Sequence, residues 1–376
     1  MDKTVISTKV SVIENQKGVI SDFSYERLLR AKAAYTTRRI NKTLIGKIIS
    51  GDVAPKSGDL VLARIEKIGQ HKRIELEHGR RAPLFLGDEV IVCYGNRYAP
   101  DQFEAEVPEN LAKCHLVAAG GVASQCLSRH SSIQSPTLLQ PIGLLADDQG
   151  RRINLIDWGL PNVQAVNASR HPLVITVVGT SMNAGKTTSA AHLIRGLSLS
   201  GLKVGAAKLT GTGAGGDVWL MKDAGASRVY DFTDAGYVST YRCSSYEIEG
   251  IATKLVDSLK YDGAEAIVLE IADGLFHSET ASLLTSPKFN SMIDGIMFAA
   301  GDAMGAENGV QWLMQRNLPV IGVSGCVSAS PLAMREVAKV IGLPILGLDE
   351  LASPDIATQL LEYCGKWLDK TQRISQ

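Results

Sequence analysis

From about residue 165 onward the chain alternates short, mainly apolar runs with longer amphipathic stretches. The runs are "LVITVV" (173–178), "KVGAAKL" (203–209), "EAIVLEI" (265–271), "IDGIMFAA" (293–300), "PVIGVSG" (319–325) and "LPILGL" (343–348). A run without polar alternation predicts a strand covered on both faces, as in a parallel sheet. Between the first two, residues 187–199 put Ala190, Ala191, Leu193, Ile194 and Leu197 on one helical face, and Gly201 ends the helix. Ser244 and Glu247 have the spacing of a capping box ahead of "IEGIATKLVDSL". Residues 303–316 and 331–340 read as further helices, the second with Pro331 in its first turn. Strand–helix alternation of this kind predicts a doubly wound, mostly parallel α/β domain over 161–376.

Residues 1–160 follow another pattern. Within 58–95 the alternating runs "LVLARIEKI", "RIELE" and "EVIVCYG" are separated by glycine and charged turns at 69–72 and 78–81. Such spacing predicts a small antiparallel barrel or curled sheet. The expectation is a smaller N-terminal α+β domain of antiparallel β character, with no role assigned to it. "GNRYAPDQFEAEVP" (95–108) reads as a turn-rich loop with an aromatic pair, and the Gly/Ser-rich 118–137 receives no element. There is no internal repeat.

Composition narrows the class. The chain has 376 residues, enough for two cores rather than one. Lys+Arg and Asp+Glu both total 39, giving zero net charge. A chain that coats nucleic acid is strongly basic, so nucleic acid is not an expected partner. The basic residues of 27–47 are read as a solvated helix face. No apolar run is long enough to span a bilayer, and "MDKTVISTKVSVIENQKG" has no apolar signal core, so the expected location is cytoplasmic. In a reducing compartment the six cysteines are free thiols. Cys114, His115, Cys126 and His130 lack the knuckle spacing of a zinc site.

Candidate chemistry concentrates in "VVGTSMNAGKTT" (177–188). A buried strand leads in, small residues follow, and Gly185-Lys186-Thr187 opens a helix. Each part has a physical task. The loop Thr180, Ser181, Met182, Asn183, Ala184, Gly185, Lys186, Thr187 and Thr188 would turn its amides onto phosphate oxygens. The Lys186 ammonium would reach the terminal phosphates, and the Thr187 hydroxyl would hold Mg²⁺. The spacing departs from the usual form: five residues separate Gly179 from Gly185, where four are normal. Taken from Thr180, the register is right and Thr stands for the leading glycine.

This "G-T-x-x-x-x-G-K-T" form resembles the dethiobiotin synthetase family. The resemblance covers about 175–350 and is carried mainly by the loop. It implies an ATP- and Mg²⁺-dependent enzyme, a homodimer, that activates a small carboxylate or carbamate by phosphoryl transfer for attack by an amine. By the same resemblance Lys208, ending "VGAAK", would reach the site, and one of Asp217 or Glu270 would bind Mg²⁺ with Thr187, with Asp273 as the alternative to Glu270. The family's "E-G-A-G-G" is "E-I-A-D-G" here. Ser181 stands where related partitioning-type ATPases carry a second lysine, which favours the synthetase branch. His277 is a candidate general base. The stretch 217–247, with Asp231, Asp234, Thr240, Tyr241 and Arg242, would help bind a second substrate. Two other readings remain open: a nucleotide-dependent regulatory or partner-binding module, and an acyltransferase whose loop holds the phosphates of coenzyme A.

Overall fold

The computed structural model describes residues 17–163 and 171–374, so the N-terminal stretch 1–16, read above as lacking a signal core, lies outside the described residues. The C-terminal half holds six parallel strands: β1 (Leu173–Gly179), β2 (Val204–Lys208), β3 (Arg228–Asp231), β4 (Ala266–Glu270), β5 (Gly295–Ala299) and β6 (Val320–Ser324). Their order is β3-β2-β4-β1-β5-β6. The topology thus seats β1, which feeds the glycine loop, between β4 and β5, and brings Val177 into register with Glu270.

Both faces of this sheet are apolar. Val174 and Val178 join one buried cluster, while Ile175 and Val177 join the other. That alternation explains why β1 reads as an unbroken apolar run. Six helices matter for the site and its support: α1 (Lys186–Leu199), α2 (Gly216–Asp223), α3 (Ser245–Tyr261), α4 (Ser278–Thr285), α5 (Ala303–Met314) and α6 (Pro331–Val340). The capping box at Ser244 and Glu247 is present with both of its reciprocal bonds.

In the N-terminal part the strands Leu60–Lys67, Glu89–Tyr94, Val122–Arg129, Cys114–Ala118 and Thr137–Ala146 pair in a closed ring. Alternate residues of Leu60–Lys67 enter two different buried clusters, Leu60 and Leu62 one, Val61, Ala63 and Ile65 the other. The barrel is therefore filled inside and covered outside. The fold is α/β with a mostly parallel C-terminal sheet and a smaller, mainly antiparallel N-terminal domain.

Three expectations need correction. "LPILGL" is not a strand; it contributes one parallel bridge, Ile345 to Val323, because Pro344 has no N–H with which to extend a ladder. The turn-rich stretch 95–108 contains a hairpin, Arg97–Tyr98 paired with Phe103–Glu106. The basic stretch 27–47 is not a solvated face: Arg38 and Arg39 cross to the C-terminal half, where Arg38 pairs with Asp231 at 3.2 Å and Asp234 at 2.6 Å, and Arg39 with Asp234 at 3.4 Å. Tyr35 donates its hydroxyl to Asp231 at 2.7 Å, with both residues buried. Glu75 adds a further link, accepting from Gly215 N at 3.0 Å and Trp219 Nε1 at 2.8 Å. The two halves thus meet along a buried polar seam. No helix among the described residues is long and apolar enough to cross a membrane.

Candidate phosphate-binding site

The loop after β1 is held from several sides. Thr180 N donates to Ala299 O on β5 at 3.0 Å, and Cys326 N, just beyond β6, donates to Ala184 O at 3.0 Å. Gly185 has a φ of 94° and precedes α1. A Cβ there would lie 2.9 Å from both Cys326 N and Gly325 Cα. Glycine is required twice over, by backbone conformation and by space. Asn183 also has a positive φ, 65°.

The site's side chains converge at the carboxyl ends of β1, β2 and β4. Lys186 folds back so that its Nζ donates to Ser181 O at 2.6 Å. Its ammonium therefore caps a carbonyl of its own loop. Burial lowers its pKa, the charges of Glu270 and Asp273 oppose that, and Lys208 adds to it. Thr187 Oγ1 donates to Glu270 Oε1 at 2.8 Å. Glu270 is 2% exposed, and its second oxygen, Oε2, is buried without a hydrogen-bond partner. A buried carboxylate left half-bonded is costly unless a cation completes it. Thr187 and Glu270 thus have the donor chemistry for Mg²⁺, which prefers few protein oxygens beside phosphate and water.

The other residues singled out in the sequence lie as follows. Lys208 forms an ion pair with Asp217. Asp217 sits in the first turn of α2, whose N-cap is Gly215, so it is not itself the cap. Asp273 lies beyond β4 with a φ of 64°. Burial raises its pKa, against the charges of His277, Lys186 and Lys208. His277 is the N-cap of α4, its side chain 9% exposed and its Nδ1 3.1 Å from Glu279 Oε2. Glu279 Oε1 in turn accepts from Arg242 N at 2.7 Å. Lys186, Lys208, Glu270, Asp273 and His277 form one electrostatic cluster, to which Thr187 is joined by its bond to Glu270.

Of the polar stretch 217–247, only part faces this cluster. Asp231 and Asp234 belong to the seam with Arg38 and Arg39. Burial opposes the charge on Asp231, yet Arg38, Thr233 and Tyr35 hold its carboxyl below the ordinary range; Asp234 is pushed up by burial and by Asp231. Tyr241 does face the cluster, its ring centre 6.2 Å from that of His277. Arg242 carries a φ of 68° and pairs with Glu106 of the N-terminal domain at 2.5 Å. An open cleft of about 350 Å³ beside Tyr241 and Arg242 is lined from both domains, Lys56, Asn96 and Asn154 facing Tyr237.

Two residues at the site come from the N-terminal domain and were not anticipated. The Tyr98 ring lies 4.4 Å from that of His277 and 5.5 Å from that of Tyr241, centre to centre. Asp101 Oδ2 accepts from Asn183 Nδ2, in the glycine loop, at 3.1 Å. The only hint in the sequence was the aromatic and acidic make-up of a stretch read as loop. At Cys114, His115, Cys126 and His130, His115 Nδ1 instead accepts from Cys126 N at 3.2 Å. No cluster of three or more His, Cys, Asp or Glu suited to a metal occurs among the described residues.

No protein-family model matches the chain. No curated protein matches it either. Among solved structures it is similar to the signal recognition particle 54 kDa protein of Aeropyrum pernix, solved with GDP, at 20% identity over 59% of this chain, with a TM-score of 0.36. That match spans about half, 54%, of the other chain. The receptor FtsY of Elizabethkingia anophelis matches at 15% identity over 53% of this chain and 67% of its own, TM-score 0.35. FtsY of Thermotoga maritima matches at 16% identity over 56% and 74%, TM-score 0.32. Likeness at this level says nothing of substrate or partner.

Proposed function

We propose that the chain binds a nucleoside triphosphate with Mg²⁺ at the loop 180–188 and that nucleotide occupancy governs how its two domains engage each other or a partner. The observation that carries the nucleotide part is the Thr187–Glu270 contact at 2.8 Å, with Glu270 Oε2 buried and unpartnered beside it. A helix-opening threonine joined to a carboxylate on the adjacent strand is the arrangement a phosphate-bound Mg²⁺ uses. When bound, that ion would supply positive charge to the terminal phosphate oxygens. The chain's own residues have the remaining tasks. Lys186 exchanges Ser181 O for a phosphate oxygen, so its resting bond is replaced rather than simply lost. Lys208, with Asp217 as its resting partner, is the second cation for the terminal phosphate. The positive end of α1 and the loop amides favour the anion.

A second reading has its own support. His277, Asp273 and Glu279 lie past the Glu270 end of β4, walled by Tyr98 and Tyr241. That arrangement suits a small acceptor, such as a carboxylate or carbamate, with His277 taking a proton from a nucleophile. The resemblance to dethiobiotin synthetases points the same way.

Turnover assays separate the readings. The purified chain is given ATP or GTP with Mg²⁺, alone and with a panel of small carboxylates and amines. Slow turnover of nucleotide alone, indifferent to the panel, supports the regulatory reading. Turnover that requires a panel member supports the transfer reading. Absence of nucleotide binding by calorimetry, with and without Mg²⁺, sinks both. Acetyl-coenzyme A consumption without ATP would instead revive the acyltransferase reading.

A further inference from the structure

The glycine loop reaches the N-terminal domain through a side-chain hydrogen bond of its own. Asn183 is the residue concerned. It sits two positions before Gly185 and has a φ of 65°. Left-handed backbone costs an L-residue on the order of 1–2 kcal/mol, least for Asn, so the conformation needs support. Support comes from two directions. On one side Cys326 Sγ donates to Asn183 O at 3.3 Å. On the other, Asn183 Nδ2 donates to Asp101 Oδ2 at 3.1 Å.

Asp101 is not an ordinary surface partner. Its other oxygen, Oδ1, is buried and has no hydrogen-bond partner. Four residues earlier, at the start of the same hairpin, Arg97 is 7% exposed with Nε and Nη1 unpartnered; its Nη2 donates to Gln102 Oε1 at 2.9 Å. Burial lowers the Arg97 pKa to about 10, and the Asp101 carboxylate is the first charge that partly offsets this. The hairpin thus carries a buried cation behind a carboxylate that reaches out to the glycine loop. An acidic group next to a phosphate loop repels the ligand unless it is balanced, and Arg97 supplies that balance.

We infer that Asp101 is a positioning residue for the phosphate loop: by accepting from Asn183 it holds that residue in its left-handed conformation, so the N-terminal domain completes the nucleotide site. The inference rests on the nucleotide reading given above. It also supplies a route by which loop occupancy and domain contact affect each other, since any change at Asn183 is felt by the hairpin that carries Tyr98.

The test is titration of the full-length chain with a fluorescent N-methylanthraniloyl ATP, with Mg²⁺ present. Asp101→Ala is expected to weaken binding about fivefold, the size of one hydrogen bond that fixes a disfavoured conformation. Asp101→Asn is expected to restore most of the affinity, because its amide oxygen can accept the same bond. Asn183→Ala is expected to weaken binding at least as much, and adding Asp101→Ala to it is expected to change nothing further. Both Asp101 variants remove the charge that offsets burial of Arg97 and should melt below the parent by similar amounts, so the difference in affinity between them reads the hydrogen bond and not a general structural defect. Parental affinity in Asp101→Ala overturns the inference. So does an additive loss in the double variant, or an Asp101→Asn protein as weak as Asp101→Ala. A parent chain that binds no nucleotide, like Lys186→Ala, overturns the nucleotide reading and this inference with it. A parent that binds, beside a Lys186→Ala that does not and an unchanged Asp101→Ala, overturns the inference alone.

Discussion

The hydroxyl of Thr187 donates to the carboxylate of Glu270 across 2.8 Å, joining the first turn of α1 to the tip of β4. The two residues are 83 positions apart, and they meet because β1 and β4 are neighbours in the sheet. Glu270→Gln keeps the size and the acceptor oxygen but removes the charge. It is therefore expected to leave metal-free nucleotide affinity nearly unchanged while abolishing the gain on adding Mg²⁺. Calorimetric titrations with and without Mg²⁺ check this; an undiminished metal response in the variant rules the carboxylate out as a ligand.

Lys186 is buried and already bonded within its own loop, so its loss should cost ligand binding more than folding. Lys186→Ala is expected to lower triphosphate affinity by about 100-fold or more, the worth of a charge-assisted contact in a shielded site. The far-ultraviolet circular dichroism spectrum should be retained. Unchanged affinity in a folded variant would count against the loop as a phosphate site.

Gly185 is constrained by a φ of 94° and by backbone atoms 2.9 Å from where a Cβ would stand. Those atoms belong to Gly325 and Cys326, which are main chain and cannot swing aside. Gly185→Ala is expected to lower the melting temperature and to weaken nucleotide binding together, with a conformational cost of roughly 1–2 kcal/mol before any clash. Thermal melts paired with titration read both effects.

The seam around Arg38 should be sensitive to unbalanced removal. Arg38→Met would leave Asp231 and Asp234 buried with much less compensation, at a cost of roughly 3–5 kcal/mol. Tyr35→Phe removes one buried hydrogen bond to Asp231 and should cost about 1–2 kcal/mol. Urea denaturation of both variants checks the ranking; equal stabilities would mean that the ion pairs do not hold the halves together.

His71 sets a pH dependence in the barrel. Burial, helped by the charge of Arg97, lowers its pKa from 6.5 to about 4, although Val117 O, 2.9 Å from Nε2, opposes this. Above pH 6.5 the ring is neutral in both states, and its contribution to stability is fully present. As the pH falls from 6.5 toward 4, the unfolded chain takes up the proton and the folded one resists, so stability declines, by on the order of 3 kcal/mol in all. His71→Gln is expected to flatten that part of the profile. A profile between pH 4 and 6.5 identical to the parent's would show that His71 is not its source.

Much of the C-terminal sheet was legible in the sequence because its strands are covered on both faces. Covering by helices leaves no polar alternation, so Val174–Val178 and Ile267–Leu269 stand out as apolar runs. The glycine loop between strand and helix was legible for a different reason: its small residues, lysine and hydroxyl stand at a short local spacing. The edge strand Arg228–Asp231 was not legible, since it is four residues long and partly exposed, and its last residue serves the seam with Arg38. "LPILGL" misled because apolarity alone cannot show that Pro344 stops a ladder.

Local chemistry thus determined the strand–helix alternation, the loop and its lysine and threonine. Tertiary structure alone decided which carboxylates serve which partner. Asp217 and Glu270 look equivalent as acidic residues near strand ends, yet the one pairs with Lys208 and the other bonds Thr187. Likewise the arrival of Tyr98 and Asp101 at a site 80 or more residues away depends on how a closed barrel docks against the sheet. Contacts between distant segments are set by the summed packing of both domains, and no periodicity or spacing within either segment encodes them.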